Sequence, residues 1–582
     1  MQTFEWGGEA RLLRTVLSYL KPYWRRITCG VAVKFTAAVL ELILPLLLAH
    51  VIDDLVPLGE MDAIWRVGGW MTLLAFGAAF CNITANRMAA RVSMEVTRTL
   101  RLDLYSRVEH FSCAQMDRFS ISSLVSRLTN DTYHVHQMFD KVQRGGIRAP
   151  MLVLGGLVLT FLLEPVLALV QLLVCGATFL AIWLVTRRGI PYYAKAQTAV
   201  DTVVRVIREN ASGVRVIKAL ACQERERARF GCANREARQA EERAGRVMAA
   251  ANPTTDFLLN TGLVLVVAVG ALRVNSGRMD AGQIVAFLSY FALIQNATLG
   301  MAKIFVKTSK GAASAARIEE VLRAPAEQAV LPSAAERSCA ELGMDRASFS
   351  YLGVENDLED LTFSLKKGET LGILGPTGSG KSTLVSLLLR LYDAKSGIVW
   401  VGGRNVESLP KEDLRSRFGV VFQNDALLSG SIYDNISFLR GLSREAVTDA
   451  AKTAQAWAFI RRLPEGLDTP VEIRGANLSG GQRQRLLIAR ALAGKPPVLV
   501  LDSADSALDY RTAAELHGAI RRDCPGTTQV IISERVASLR EADRILVLEE
   551  GRITAQGSHR ELMETCERYR RMAEIQMGGA AR

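Results

Sequence analysis

The first half of this chain carries apolar runs too long for the core of a small soluble domain. Two of them are VAVKFTAAVLELILPLLLAHVI (31–52) and LALVQLLVCGATFLAIWLV (167–185). A helix rises about 1.5 Å per residue, so roughly twenty apolar residues cross a hydrocarbon layer ~30 Å thick. Runs of this length predict membrane helices, because only a helix or a closed barrel satisfies its own backbone in lipid. Six are predicted, over 27–52, 65–87, 147–163, 165–185, 253–274 and 284–306. The third and fourth meet at Glu164-Pro165, which predicts a hairpin with almost no loop. The second half alternates short apolar strands with amphipathic helices, the pattern of a soluble α/β domain. A chain of 582 residues is too long for one core, so at least two domains are expected.

Charge gives an expected orientation. The net charge is +12, and 49% of residues are hydrophobic. The pI is about 9.3 and the mean hydropathy +0.15. Arg11, Arg14, Lys21, Arg25 and Arg26 precede the first apolar run, and the loop after it (DDLVPLGEMD) has no Lys or Arg. The positive-inside rule then puts the N-terminus in the cytoplasm, and an even number of spans puts the second half there too. Arg273 and Arg278 run against this, falling in a loop expected outside. The same flanking cations account for the basic pI, so nucleic acid is not an expected partner. Nine cysteines form no CxxC pair and have no zinc-like histidine spacing, so free thiols are expected. The N-terminus lacks the apolar core of a cleavable signal peptide.

Two long polar stretches, about 89–144 and 186–251, separate helices two from three and four from five. They are rich in helix formers and poor in apolar residues. The membrane helices are therefore expected to continue well into the cytoplasm and return. The resulting expectation is a membrane domain over 1–323, a linker over 324–340 and a nucleotide-binding domain over 341–582.

The strand 370–374 runs into Gly375-Pro-Thr-Gly-Ser-Gly-Lys-Ser-Thr383 and then an apolar helix. Strand, glycine loop and helix are the required context of a phosphate-binding P-loop. Gly375, Gly378 and Gly380 let backbone N–H groups curl around phosphate oxygens, helped by Thr383 at the helix start. Lys381 is expected on the β- and γ-phosphates and Ser382 on Mg²⁺. Downstream, VLVLD (498–502) reads as a buried strand ending in a carboxylate, Asp502, suited to the same ion. ATP and Mg²⁺ are the expected ligands.

Leu478-Ser-Gly-Gly-Gln482, followed by RQRLLIARAL, together with Gln423 in VVFQNDALLSGSIYDN, resembles the ATP-binding cassette (ABC) transporters. From end to end the chain resembles their exporter-type half-transporters. That resemblance implies an α-helical membrane domain of six transmembrane helices with long cytoplasmic extensions, plus an α/β P-loop nucleotide-binding domain. It also implies a second subunit, with two ATP molecules sandwiched between the pair. Ser479, Gly480, Gly481 and Gln482 would cap the ATP on the partner's P-loop. Tyr351 would stack on adenine, Gln423 would help ligate Mg²⁺ with Ser382 and Asp502, and Asp509 would lie in the loop touching the opposite subunit. The segments 119–131 and 209–219 look like the coupling helices.

Two departures from the family fall on one piece of chemistry. Ser503 stands where the family's general-base glutamate is expected, and a hydroxyl is a very poor proton acceptor at neutral pH. Glu534 stands where the switch histidine is expected, and a carboxylate cannot donate to the γ-phosphate. Ile473 replaces a frequent glutamate before the signature, with Glu472 beside it. An intact binding set with a poor hydrolytic set fits the degenerate half of a heterodimer whose partner supplies the glutamate and histidine. The alternatives are a slow homodimeric ATPase transporter and a nucleotide-gated membrane regulator or channel. Lys34 and Glu41 share one face of the first helix and could pair. With Asn82, Asn86, Asp256, Asn260, Gln295 and Asn296 they suit an amphipathic small-molecule, lipid or peptide substrate. No peptidase domain precedes the first helix, which counts against a peptide-processing exporter.

Overall fold

The computed structural model describes residues 17–325, 330–331, 340–351 and 353–577, with Ala302 by its backbone only. Arg11 and Arg14 therefore lie outside the described residues, as does most of the expected linker. The rest falls into two compact units. One comprises the residues up to Glu109 together with Ile121–Ala324. The other comprises His110–Ser120 together with the chain from Pro325 onward.

The first unit holds six helical spans long and apolar enough to cross a membrane: Lys21–Leu58, Met61–Glu109, Ile121–Leu163, Pro165–Ser212, Gln223–Asn275 and Ala281–Arg323. The fourth has 48 residues, about 72 Å at helical rise and more than twice the hydrocarbon thickness. The polar stretches are thus continuations of the spans. Glu164 alone, in extended conformation, separates the third span from the fourth, and Pro165 occupies the first turn, where its missing N–H is harmless. Arg273, one of the two cations that run against the expected orientation, forms an ion pair of 2.5 Å with Glu164 at the same end of the helices.

One expectation needs correcting here. Lys34 and Glu41 do not pair directly. The Lys34 ammonium donates to Asn82 and, at 2.9 Å, to Asn86. Asn82 passes the contact on, donating to Glu41 at 2.9 Å, and Arg148 closes the chain on the other Glu41 oxygen at 2.6 Å. Seven residues span nearly two turns, so an amide from the second span fills a gap the two side chains do not close themselves.

The stretch that belongs with the second unit is His110–Ser120, of which 119–131 shares only Phe119 and Ser120. A capping box between Ser112 and Gln115 starts a separate short helix, Cys113–Phe119, which Ser120 ends at positive φ. Asp117 on that helix accepts from the Tyr392 hydroxyl at 2.6 Å.

Twelve strands are described in the second unit. Four form an antiparallel sheet, in the order β2 (Leu358–Leu365), β1 (Leu342–Phe349), β4 (Ser396–Val401) and β5 (Arg404–Asn405). A six-stranded sheet has the order β12 (Arg552–Gly557), β11 (Arg544–Glu549), β3 (Thr370–Leu374), β10 (Thr528–Ile532), β9 (Val498–Asp502) and β6 (Phe418–Val421). The pairings of β11, β3, β10, β9 and β6 are all parallel. A short ribbon of β7 (Gly430–Ser431) and β8 (Pro470–Val471) completes the set. Residues of β9 and β10 are buried along their whole length, as central strands covered on both faces must be.

Candidate nucleotide site

Register builds the site. Ile532 of β10 lies opposite both Ile373 of β3 and Asp502 of β9, and Val421 of β6 lies opposite Leu501. The residues that follow these strands therefore emerge along one sheet edge. They are Gly375 and the P-loop after β3, Ser503 after β9, Ser533 and Glu534 after β10, and Gln423 after β6. Ligands of open α/β sheets bind at this edge, beyond the carboxyl ends of the strands.

A cavity of about 530 Å³ sits there. Thr377, Gly378, Gly380, Lys381, Ser382 and Thr383 line it from the P-loop and from α1 (Lys381–Leu388). Gln423, Asp502, Ser503 and Glu534 line it from the neighbouring strand ends. Two glycines are required by geometry. A Cβ on Gly375 would lie 2.2 Å from the Leu548 carbonyl oxygen. Gly380 has φ +95°, and a Cβ there would meet Leu358 at 2.5 Å.

The Lys381 ammonium donates to the carbonyls of Gly375 and Pro376 at 2.9 and 2.7 Å, which holds the side chain back along its own loop. Burial pushes its pKa below the ordinary lysine value, opposed by the carboxylates of Glu534 and Asp502. Ser382 Oγ donates to Asp502 Oδ2 at 2.6 Å. Burial raises the Asp502 pKa, against the hydrogen bonds from Ser382 and Ser503 and the charge of Lys381. Ser503 has φ +54° and turns its hydroxyl toward Asp502 Oδ1 at 3.4 Å. Glu534 accepts from Thr377 Oγ1 at 3.2 Å, so its carboxylate lies against the phosphate loop. Serine hydroxyl, carboxylate and glutamine amide form an all-oxygen donor set of the hard-cation kind, which fits Mg²⁺ completed by phosphate and water.

Tyr351 is not among the residues lining the cavity. It reaches the site through its hydroxyl, which donates to Thr383 Oγ1 at 3.3 Å. Its ring packs edge-on against Phe349 and Tyr392, at 4.8 and 5.1 Å between centroids. Glu355, Asn356, Asp357, Glu550 and Gly551 also line the cavity and were not legible in the sequence, because they arrive from loops with no motif of their own.

The signature residues do not join this cavity within the chain. Ser479 is the N-cap of α2 (Gly480–Ala493) in a capping box. Its hydroxyl accepts from the Gln482 N–H at 3.3 Å, and the Gln482 side chain accepts from the Ser479 N–H at 2.9 Å. Gly481 is close to Ala507, where a Cβ would lie 3.3 Å from the carbonyl oxygen. Asp509 caps α3 (Tyr510–Asp523) by accepting from the Thr512 N–H at 2.9 Å. Glycines 480 and 481 thus present the free amides of a helix start on a surface away from the chain's own P-loop. Arg490, further along α2, bonds the Asn435 and Ala426 carbonyls at 2.9 and 3.0 Å and the Asn435 side chain at 3.0 Å. It lies in the RQRLLIARAL run after the signature and fixes the segment that follows Gln423, a contact that the run itself does not announce.

Comparison with known proteins agrees with this architecture. Residues 27–298 match the ABC transporter transmembrane region, and residues 358–506 match the ABC transporter family. The ABC transporter ATP-binding protein YfiB of Bacillus subtilis is 34% identical over 97% of this chain and 99% of its own length. The ATP-dependent lipid A-core flippase of Albidiferax ferrireducens is 29% identical over 97% of this chain and 98% of its own. A bacterial Atm1-family ABC exporter solved with ATP bound has the same fold, with a TM-score of 0.82 at 24% identity over 96% of this chain and 99% of its own. Six apolar spans, a P-loop sheet edge and a signature helix carried on one polypeptide make this chain a member of the ABC transporter ATPases, a half-transporter of exporter fold.

Proposed function

We propose that the chain is one subunit of an ATP-driven exporter, that its own P-loop holds Mg-ATP, and that it hydrolyses that ATP poorly. The observation carrying this reading is that Ser503 and Glu534 line the same cavity as Lys381, Ser382 and Asp502. The P-loop amides and Lys381 bind the phosphates, and Tyr351, beside Thr383, lies at the adenine end. Ser382, Asp502 and Gln423 would hold Mg²⁺, which supplies charge neutralisation on the β- and γ-oxygens when bound. Ser503 can orient a water but takes no proton from it at neutral pH. Glu534 brings negative charge toward the γ-phosphate, where a donor would be useful.

The intact signature then serves a partner. Ser479, Gly480 and Gly481 present a helix N-terminus to the ATP on the second subunit's P-loop, and Asp509 lies in the loop facing that subunit. The partner is a second ABC half-transporter with an intact Walker B glutamate and switch histidine. The N-terminus and the nucleotide-binding domain are cytoplasmic, with the Glu164–Arg273 end of the helices outside.

The transported molecule is amphipathic: a small molecule, lipid or peptide. Supporting this is a groove of about 600 Å³ in the first unit, where Glu41, Ser289 and Asn296 lie among Leu44, Leu48, Met71 and Leu293. The flippase relative is named for a lipid.

The decisive experiment is steady-state ATPase activity, measured on this chain alone and co-expressed with a half-transporter that carries an intact Walker B glutamate and switch histidine. Activity should appear only with the partner and vanish when the partner's Walker B glutamate becomes glutamine. Turnover by this chain alone at ordinary exporter rates would overturn the reading.

A further inference from the structure

The fourth and fifth spans enclose a cavity of about 700 Å³. Arg187, Arg188, Tyr192 and Lys195 line it from the fourth span and Val247 from the fifth. Their spacing keeps them on one helix face, with Leu184 one turn nearer the apolar part of the span. No lining residue is acidic, and none of the three cations is ion-paired among the described residues. The Arg187 guanidinium rests over the Trp183 ring, 5.0 Å from its centre.

Depth identifies the surroundings. The fourth span begins at Pro165, next to the Glu164–Arg273 ion pair. Arg187 lies about 33 Å further along the axis at ~1.5 Å per residue, which is one hydrocarbon thickness. On the fifth span, Val247 lies about 39 Å from Arg273 on the same scale. Both helices thus put the cavity at the interface opposite the Glu164 end. Trp183, Tyr192 and Tyr193 are exposed around it, the residue types that favour the headgroup level. Cations lie on the aqueous side, and Leu184 and Trp183 lie on the membrane side.

We propose that this cavity docks the headgroup of an anionic phospholipid from the adjoining leaflet. Arg187, Arg188 and Lys195 hold its phosphate, and its acyl chains run along the Leu184 face of the fourth span. Arginine forks suit phosphate oxygens, and the aromatic rings and apolar wall suit the glycerol and chains. A free phosphate would use the cations alone and leave the apolar wall without a partner. The proposal rests on the membrane-spanning reading and is independent of the asymmetry between ATP sites.

The test uses the full-length protein in nanodiscs of phosphatidylcholine containing a minor share of phosphatidylglycerol with a photoactivatable acyl chain. Adducts should concentrate on the Leu184 face of the fourth span, at Leu184 and in the turns on its membrane side, and an equivalent phosphatidylcholine probe should not label there. Uniform labelling, equal labelling by phosphatidylcholine, or a cross-link from this face to a second polypeptide would each overturn the proposal. Replacing Arg187, Arg188 and Lys195 together by alanine should cut the labelling about a hundredfold, about fivefold per cation. Exchanging cation for cation (Arg187→Lys, Arg188→Lys and Lys195→Arg) should keep most of it. Unchanged labelling in the alanine variant would sink the idea, and if that variant does not fold, the wild-type adduct map decides. Inorganic phosphate at tens of millimolar should leave the labelling intact. If it displaces the lipid, the site takes a soluble anion and the lipid assignment fails. A protein that does not enter nanodiscs would overturn the membrane reading as well.

Discussion

At the scale of single residues, the proposed poor hydrolysis turns on two side chains that line one cavity. On that reading, Ser503→Glu would supply a proton acceptor, and Glu534→His would replace a repelling carboxylate with a donor. The double variant should raise hydrolysis at this chain's own site by on the order of 10²–10⁴-fold, read as ATPase with a partner whose own glutamate has been disabled. No gain would mean that Ser503 is not where the attacking water lies. Asp502 gives a second expectation, in pH. Burial raises its pKa, and Mg²⁺ binds the charged form. Mg-ATP affinity is therefore full above that pKa and lost as pH falls through it, at a higher pH than an ordinary carboxylate would give. Titrating nucleotide affinity against pH, with Asp502→Asn as the flat control, checks the sign. The sequence showed both departures because each stands beside a recognisable motif. It could not show that Thr377 holds Glu534 against the loop, since that contact joins segments far apart in the chain.

At the scale of elements, the signature helix is braced through Arg490, which lies in the RQRLLIARAL run after the signature. Its side chain is 13% exposed and forms three hydrogen bonds to the segment after Gln423, with Phe438 stacked 4.8 Å away. Arg490→Ala leaves buried carbonyls without donors and should destabilise the nucleotide-binding domain by about 3 kcal/mol. Arg490→Lys should recover less than half of this, because an ammonium cannot reproduce the planar fork. Denaturant unfolding of the purified protein measures both. The strands, the P-loop and the spans were legible because each has a local signal: an apolar run, a glycine pattern or a period. Contacts across elements were not. The Lys34–Asn82–Glu41–Arg148 chain is one, since spacing along one helix says nothing about which amide the next helix offers. Tyr351 is another, visible as an aromatic before the P-loop but not as a ring braced by Phe349 and Tyr392.

At the scale of the whole molecule, the proposed topology rests on charge and span count, and of the two discordant cations, Arg273 is ion-paired with Glu164. In a background whose native cysteines are replaced by serine, cysteine placed at Gly277, between the fifth and sixth spans, should react with an impermeant maleimide added to intact cells. Cysteine at Tyr510 should react only after lysis. The reverse pattern would invert the proposed orientation. Removing the ion pair by Arg273→Ala leaves Glu164 charged and nearly buried, and should lower thermal stability in detergent; Glu164→Gln combined with Arg273→Ala should restore part of the loss. The single-residue turn at Glu164 also bears on biogenesis. A hairpin with no hydrophilic loop offers nothing to thread across the bilayer ahead of it, so its two helices must enter the lipid together. They carry with them an acid whose counter-charge has yet to be synthesised. Only when the fifth span arrives is that charge matched, so the order of translation makes the middle of the chain wait for its own later segment.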